Sequence, residues 1–406
     1  MNTKFPLISL GEIASPVERL ETPVAGHIYR QLGVRLWGVG AYERESMDGS
    51  QTKYKQLSRV ETNDIVVNKI WARNGSVAVV PESLSGCFVS GEFPTFAPHK
   101  KQLNPRWFHW FTKTRPFWNQ CDEKSRGTSG QNRIRPEQFL KVEIPLPSLS
   151  EQRRIVARIE ELSAKVEEAR GLRQKSKTET QKLMPSILNG IFTSTAFKQH
   201  GTVMLGEIAD IKSGVTLGRN LQGITIRLPY LRVANVQEGR LDLSLIKEVE
   251  ILEHEKDKWS LQKGDVLLTE GGDWDKLGRG TVWNEEIPNC IHQNHIFRVR
   301  VSQHEFMPEY LCALLSSPYG KEYFQSASKQ TTNLASINQR QLKAFVVFRP
   351  SLLEQAKIVE QIKLAQAKID SVKQLQLETA AELDALMPTI LDRAFKGELK
   401  FNNSLI

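Results

Sequence analysis

Apolar residues follow two different rhythms along this chain. In two long segments they recur every three or four residues. After Pro147 they fall at Ile155, Ile159, Leu162, Val166 and Ala169, and after Pro350 at Ile358, Ile362, Ala365, Ile369 and Val372. Both sets step 4-3-4-3, the signature of a coiled-coil seam, with Arg158, Glu161, Lys165 and Glu168 between the seam positions of the first copy. Each segment opens on a serine followed three residues later by glutamate, Ser148 with Glu151 and Ser351 with Glu354. In such a capping box the serine oxygen accepts from the N3 amide while the glutamate reaches back to the N-cap amide. Glycine and proline are then nearly absent until Pro185 and Pro388, where a missing N–H predicts that each helix ends or kinks. From cap to proline is about 36 residues, or about 54 Å of helical rise.

Elsewhere the rhythm is short and β-branched. The runs DIVVNKI, SVAVVP, DVLLTEG, GTVW, HIFRVRV and AFVVF, bounded by Gly, Pro and Asn, predict strands. PRWFHWFTKT and PEYLCALLSS predict helices opened by a proline in the first turn. Each non-helical region is therefore α+β.

The two rhythms occur twice in the same order. PSLSEQRRIV at 147–156 returns as PSLLEQAKIV at 350–359, and LMPSIL at 183–188 returns as LMPTIL at 386–391, both at an offset of 203 residues without a gap. An ungapped match at both ends implies that the length between them matters, as it does for a rigid rod. Seams of equal length in one chain most simply pack on each other, which sets the polar positions Arg173 and Ser176 opposite the region of Gln376 and Thr379. The preceding regions echo each other more faintly. LGEIA recurs at 10–14 and 205–209, NDIVV resembles GDVLL, Cys87 precedes Cys290 and Trp107 precedes Tyr310 by the same 203 residues, and GTSGQNRI aligns with QTTNLASI. The organisation is domain–rod–domain–rod, a duplication whose rods stayed alike while its domains diverged.

Composition narrows the class. With 406 residues, 40% hydrophobic and 25% charged, the chain is ordinary globular material, long enough for two cores. The opening MNTKFPLISLGEIASPV carries no apolar signal region, no run approaches the ~18 apolar residues of a membrane span, and four scattered cysteines form no C-x-x-C pair. These features predict a reducing cytoplasm and no membrane. A formal charge of +9 favours an acidic partner such as nucleic acid. The excess is uneven: residues 1–145 hold 20 Lys and Arg against 14 Asp and Glu, while residues 201–349 hold 18 of each. The second domain must therefore rely on a local patch.

No catalytic constellation is visible. There is no phosphate-binding G-x-x-x-x-G-K-[ST] loop, no dinucleotide loop and no Asn-Pro-Pro-aromatic tetrapeptide. GGDWDKLGRG reads as a loop or hairpin, and HQNH in a β-branched context reads as packing rather than as a metal site. The candidate chemistry is polar loops. In the first domain Lys69, Arg73 and Asn74 lie in one, and Arg126, Thr128, Ser129, Gln131, Asn132 and Arg133 in another. In the second the candidates are Arg219 and Asn220, Arg232 and Asn235, then Trp274, Lys276 and Arg279, and finally Lys329, Gln330, Thr331, Thr332 and Asn333. Arginine matches guanine O6 and N7, asparagine and glutamine match adenine N6 and N7, and Ser, Thr and Lys suit phosphates.

Two variable domains, each followed by a helix opening P-x-L-x-E-Q-x-x-I-V, resemble the specificity subunit of type I restriction–modification systems over essentially the whole chain. The second copy departs only in carrying Phe348 and Arg349 where the first has Pro145 and Leu146. The resemblance implies a non-catalytic reader of double-stranded DNA. Its target-recognition domains would span 1–146 and 193–349, separated by a pair of long antiparallel coiled-coil helices in 147–192 and 350–406, the latter with a C-terminal tail. Each domain would read half of an asymmetric bipartite site. Two methyltransferase subunits would dock on the helices, bringing S-adenosylmethionine, and restriction subunits would add ATP- and Mg-dependent translocation; this chain would hold no cofactor or metal. A stand-alone DNA-binding protein and a coiled-coil scaffold with no nucleic-acid role are the alternatives.

Overall fold

The computed structural model describes residues 2–125, 132–274, 277–330 and 335–401, with Lys329 and Gln330 described by backbone alone. The chain divides into two compact units, 1–173 with 377–406, and 174–376. Each unit takes part of both long helices, so the division falls inside the rods rather than at their ends.

The first unit is built on a four-stranded antiparallel sheet in the order Val77–Val79, Ile65–Val67, Thr95–Pro98, Ala14–Pro16. One face covers a core of Phe96, Trp107, Phe108, Phe111, Phe117 and Phe139. The helix Pro105–Phe111 starts where Asn104 accepts from the Arg106 amide. It buries Trp107, whose indole N–H donates to the Pro145 carbonyl at 2.9 Å. On the other side of the sheet, Val66, Ala78 and Val80 meet Leu32 and Val34 of a hairpin, Leu32–Arg35 paired with Gly40–Glu43.

The second unit repeats this plan. Its sheet runs Gly280–Val282, Val266–Thr269, Ile296–Val301, Ala209–Ser213, again antiparallel. The helix Pro308–Ser316 buries Tyr310, whose hydroxyl donates to the Phe348 carbonyl at 2.8 Å. Donor and acceptor are each 203 positions beyond their counterparts in the first unit. The four cysteines are buried. Among the described residues no helix is long and apolar enough to cross a membrane.

The long helices exceed the lengths read from their prolines. They span Leu149–Phe192 and Leu352–Lys396, with Pro185 and Pro388 inside. An interior proline costs about 3 kcal/mol, and the apolar residues beyond each one offset that cost. Past Pro185, Leu188 and Phe192 enter the second core; past Pro388, Leu391, Ala394 and Phe395 enter the first. Continuing each helix by two turns buries more apolar area than a break would.

Both helices start as expected, but unequally. Ser351 and Glu354 form the full capping box: the Glu354 amide donates to the Ser351 oxygen, and the Ser351 amide and hydroxyl donate to the carboxylate at 2.9 and 2.7 Å. These bonds hold the Glu354 carboxyl below the usual carboxylate range. In the first copy the Glu151 amide donates to the Ser148 oxygen, while its carboxylate pairs with Arg154 at 2.8 Å. The adjoining glutamine does more. Gln152 is fully buried, accepts from the Asn104 amide, and donates to the carbonyls of Gln102 and Pro147. Gln355 does the same with the Met307 amide and the carbonyls of Glu305 and Pro350. The repeated glutamine therefore locks each helix start to the chain entering the preceding helix.

The helices run antiparallel. In the first unit Arg170 pairs with Asp384 and Arg173 donates to the Thr379 carbonyl, so partner numbers fall as residue numbers rise. In the second unit Gln376 donates to the hydroxyls of Ser176 and Thr180. Ile155, Ile159, Val166 and Ile369 are buried; Leu162, Ile358, Ile362 and Ala365 are half-buried. Val372, expected on the seam, is exposed, where polar contacts replace apolar ones.

Candidate nucleic-acid interface

In the first unit, two of the candidate loops meet. The Ile134 amide donates to the Lys69 carbonyl at 2.9 Å and the Lys69 amide to Glu92. Arg133 pairs with Glu92 at 3.2 Å and the Lys69 ammonium donates to the Gly91 carbonyl at 2.6 Å. Asn132 is exposed beside them. Asn68 shapes the first loop by accepting from the amides of Ile70 and Trp71. Arg73 and Asn74 sit in a short 3-10 turn, with the Arg73 guanidinium 5.9 Å from the Trp71 ring centroid. Gly75 ends the turn at φ 72°, and a Cβ there would approach the Trp118 indole nitrogen to 2.5 Å. Arg126, Thr128, Ser129 and Gln131 lie outside the described residues.

The second unit joins its equivalent loops by the equivalent bond. The Ile337 amide donates to the Glu270 carbonyl. Gly271–Gly272 pairs with Ala335–Ser336, which pairs with Lys329–Gln330, in a small antiparallel sheet. The Trp274 carbonyl accepts from Gln325, leaving the ring 43% exposed. Arg279 follows, half-buried, its Nε without a hydrogen-bond partner among the described residues. Lys276, Thr331, Thr332 and Asn333 lie outside the described residues.

The remaining candidates in this unit belong elsewhere. Arg219 forms a two-pronged pair with Glu255 at 2.9 and 2.8 Å, which raises its own pKa and lowers that of Glu255; Asn220 is exposed next to it. Arg232 donates to the Leu245 carbonyl. Asn235 is 3% exposed, accepting from the Arg232 amide and donating to the carbonyls of Asp242 and Leu245. Its amide is fully engaged in holding that loop. Of the HQNH histidines, burial pushes His292 down to about 3, with Arg298 adding to the effect, and His295 pairs with Glu270 at 2.7 Å. Among the described residues no cluster of His, Cys, Asp or Glu is placed to hold a metal ion.

The family model for the type I restriction modification DNA specificity domain matches residues 9–175 and again 198–379. The chain belongs to this family. It is a specificity subunit with two tandem target-recognition domains, one in each repeat. It is 26% identical over 365 residues to the EcoKI type I restriction enzyme specificity subunit of Escherichia coli (strain K12), covering 85% of this chain and 76% of that one. The fold is shared with the HsdS subunit of Thermoanaerobacter tengcongensis at TM-score 0.67, 23% identity and 97% coverage of both chains. It is shared also with a chain from a study of complex assembly and conformational transition in the type I R-M system, at TM-score 0.71, 22% identity, and 98% and 100% coverage.

For a DNA specificity subunit, one group of residues escaped the sequence reading. The first unit's hairpin brings Leu36, Trp37 and Val39 to an exposed tip beside the Arg73 loop. The Trp37 amide donates to the Asn74 carbonyl and the Gly38 amide to the Gly75 carbonyl. Arg35 lies 4.8 Å from the Tyr42 ring centroid on the same hairpin. The run GVRLWGVG held the signal: an aromatic between glycines beside an arginine, in a basic domain.

Proposed function

We propose that this specificity subunit reads an asymmetric bipartite DNA site, one half per domain, without performing chemistry itself. The observation that carries the reading is the paired-loop motif built twice. The Ile134-to-Lys69 bond and the Ile337-to-Glu270 bond gather polar loops at the same place in two domains whose surfaces differ. Two dissimilar surfaces on one skeleton are what an asymmetric target requires. In the first domain Lys69, Arg73, Asn74, Asn132 and Arg133 are the readers, with Arg126, Thr128, Ser129 and Gln131 on the intervening segment. In the second they are Trp274, Lys276 and Arg279, with Lys329, Gln330, Thr331, Thr332 and Asn333; Arg219, Asn220 and Arg232 contribute from outside the paired loops.

The helices then serve as docking posts for two methyltransferase subunits. Leu353, Leu364 and Leu375 of the second helix are exposed at 11-residue spacing, which places them on one helical stripe because 11 residues make about three turns. S-adenosylmethionine, ATP and Mg belong to the methyltransferase and restriction partners, and the assembly works in the cytoplasm. Methylome sequencing of a host carrying the whole system tests this. Exchanging residues 1–146 for the equivalent domain of a relative changes one half of the methylated site and keeps the other; a change in both halves, or in neither, removes the independent-reader model.

A further inference from the structure

The hairpin tip of the first domain is built to do more than turn the chain. Trp37 has φ 60°, the left-handed region that bulky residues avoid. A turn alone needs glycine or asparagine there. Glycine is used next door, where a Cβ on Gly38 would come within 2.7 Å of the Thr112 carbonyl oxygen and the Lys113 Cα. The tip is pressed onto that segment and bonded to the 74–75 backbone. The Trp37 ring meets Trp118 edge-on, 5.3 Å between centroids, and the Trp118 indole is itself fixed to the Thr112 carbonyl at 2.7 Å. The ring is braced from behind and yet 54% exposed, flanked by Leu36 and Val39.

Braced apolar side chains at a rigid tip, beside guanidinium groups, are the parts of a wedge that unstacks a DNA step. A protein partner would also accept Trp and Arg. Two features favour DNA. The domain carries 20 basic against 14 acidic residues up to position 145, and the tip is hydrogen-bonded to the Arg73 loop, so whatever that loop reads the tip also meets. We propose that the Leu36–Val39 tip enters the duplex at the half-site of the first domain and unstacks one base step, with Trp37 as the stacking wedge. This rests on the reading of the chain as a DNA reader.

The test uses the subunit assembled with its methyltransferase partners and duplexes carrying 2-aminopurine at successive positions of the first half-site. The native complex brightens the probe at one step on binding, and bromodeoxyuridine at that step photocrosslinks to Trp37. Trp37→Asn, which suits the left-handed backbone and so retains the fold, loses the brightening and binds its site at least tenfold more weakly, with the second half-site read as before. Native complex that brightens no position and gives no crosslink overturns the wedge, as does Trp37→Asn binding unchanged. A folded Trp37→Asn subunit that fails to assemble with its partners makes the tip a protein contact and also overturns it. Domain exchange separates the layers: if it still switches one half-site while Trp37 is neutral, the wedge fails and the reader stands; if it switches nothing, the reader fails.

Discussion

The two domains of this subunit share their interior bonds and differ in nearly everything that faces outward. Both use the same sheet order, the same aromatic-to-carbonyl bond from Trp107 or Tyr310, and the same buried glutamine holding three backbone groups. Outside, the first domain has a basic excess and an apolar hairpin tip. In the second, acidic and basic residues balance, 18 of each over residues 201–349. A buried bond resists change because losing one partner leaves the other desolvated and unpaired. Surface groups return to water at little cost, so a reader can acquire a new target without rebuilding its core.

The sharpest way to break this comparison is to remove the shared pin. Gln152→Ala leaves the Asn104 amide and the carbonyls of Gln102 and Pro147 unpaired, and Gln355→Ala strands their counterparts. Each change is expected to cost about 4 kcal/mol, and by the same amount in both units. Denaturant unfolding followed by a probe in each unit checks this; sensitivity in one unit alone would mean that the repeated bonds are not equivalent.

Arg73→Ala separates surface from skeleton. It is expected to lose about 2 kcal/mol of discrimination at one half-site and none at the other, as measured by competition between matched and single-substituted duplexes. Equal weakening on all sequences would assign Arg73 to the phosphates.

Acid provides a third contrast. Burial holds His292 neutral in the fold, at about 3 against an ordinary 6.5. Since the unfolded chain takes up the proton first, the stability is present above pH 6.5 and is lost as pH falls toward 3. About 1 kcal/mol should be gone by pH 5.5. His109 in the first unit shifts in the same direction, through burial and then Lys113 and Arg106. His292→Gln should therefore flatten the acid limb of the second unit and leave that of the first, read by thermal unfolding across pH 5–7.

The smallest effect separates the two helix starts. Ser351→Ala dismantles a complete capping box and should cost about 1 kcal/mol, against about half that for Ser148→Ala, where only the serine oxygen is used. Equal losses would show that the carboxylate arm at Glu354 contributes nothing.

The antiparallel sense of the rods came only from the family resemblance, but the duplication, the helix starts, the strands and the seam with its polar middle at Arg173, Ser176, Gln376 and Thr379 were legible in the sequence. Each rests on local spacing: 3.5 residues per turn for a seam, a serine three residues before a glutamate, β-branched runs between breakers. The loops 69–76 and 132–134 were legible as polar, but nothing local said that Ile134 would bond to Lys69. Asn235 was misplaced for the same reason. Asparagine looks alike in a base-reading loop and in one that spends its amide on its own carbonyls, and only the fold supplies Asp242 and Leu245 as partners.

What the sequence determined by itself is the order of parts and how they begin, because caps and periodicity act within a few residues. What only the tertiary structure decided is where elements stop and which loops meet. Pro185 and Pro388 are local breakers, overruled by the cores that receive Phe192 and Phe395. The apolar tip at Trp37 became a surface because residues 74, 75, 112 and 118, far along the chain, hold it in place. Such contacts depend on chain segments brought together by burial, and burial is summed over the whole unit.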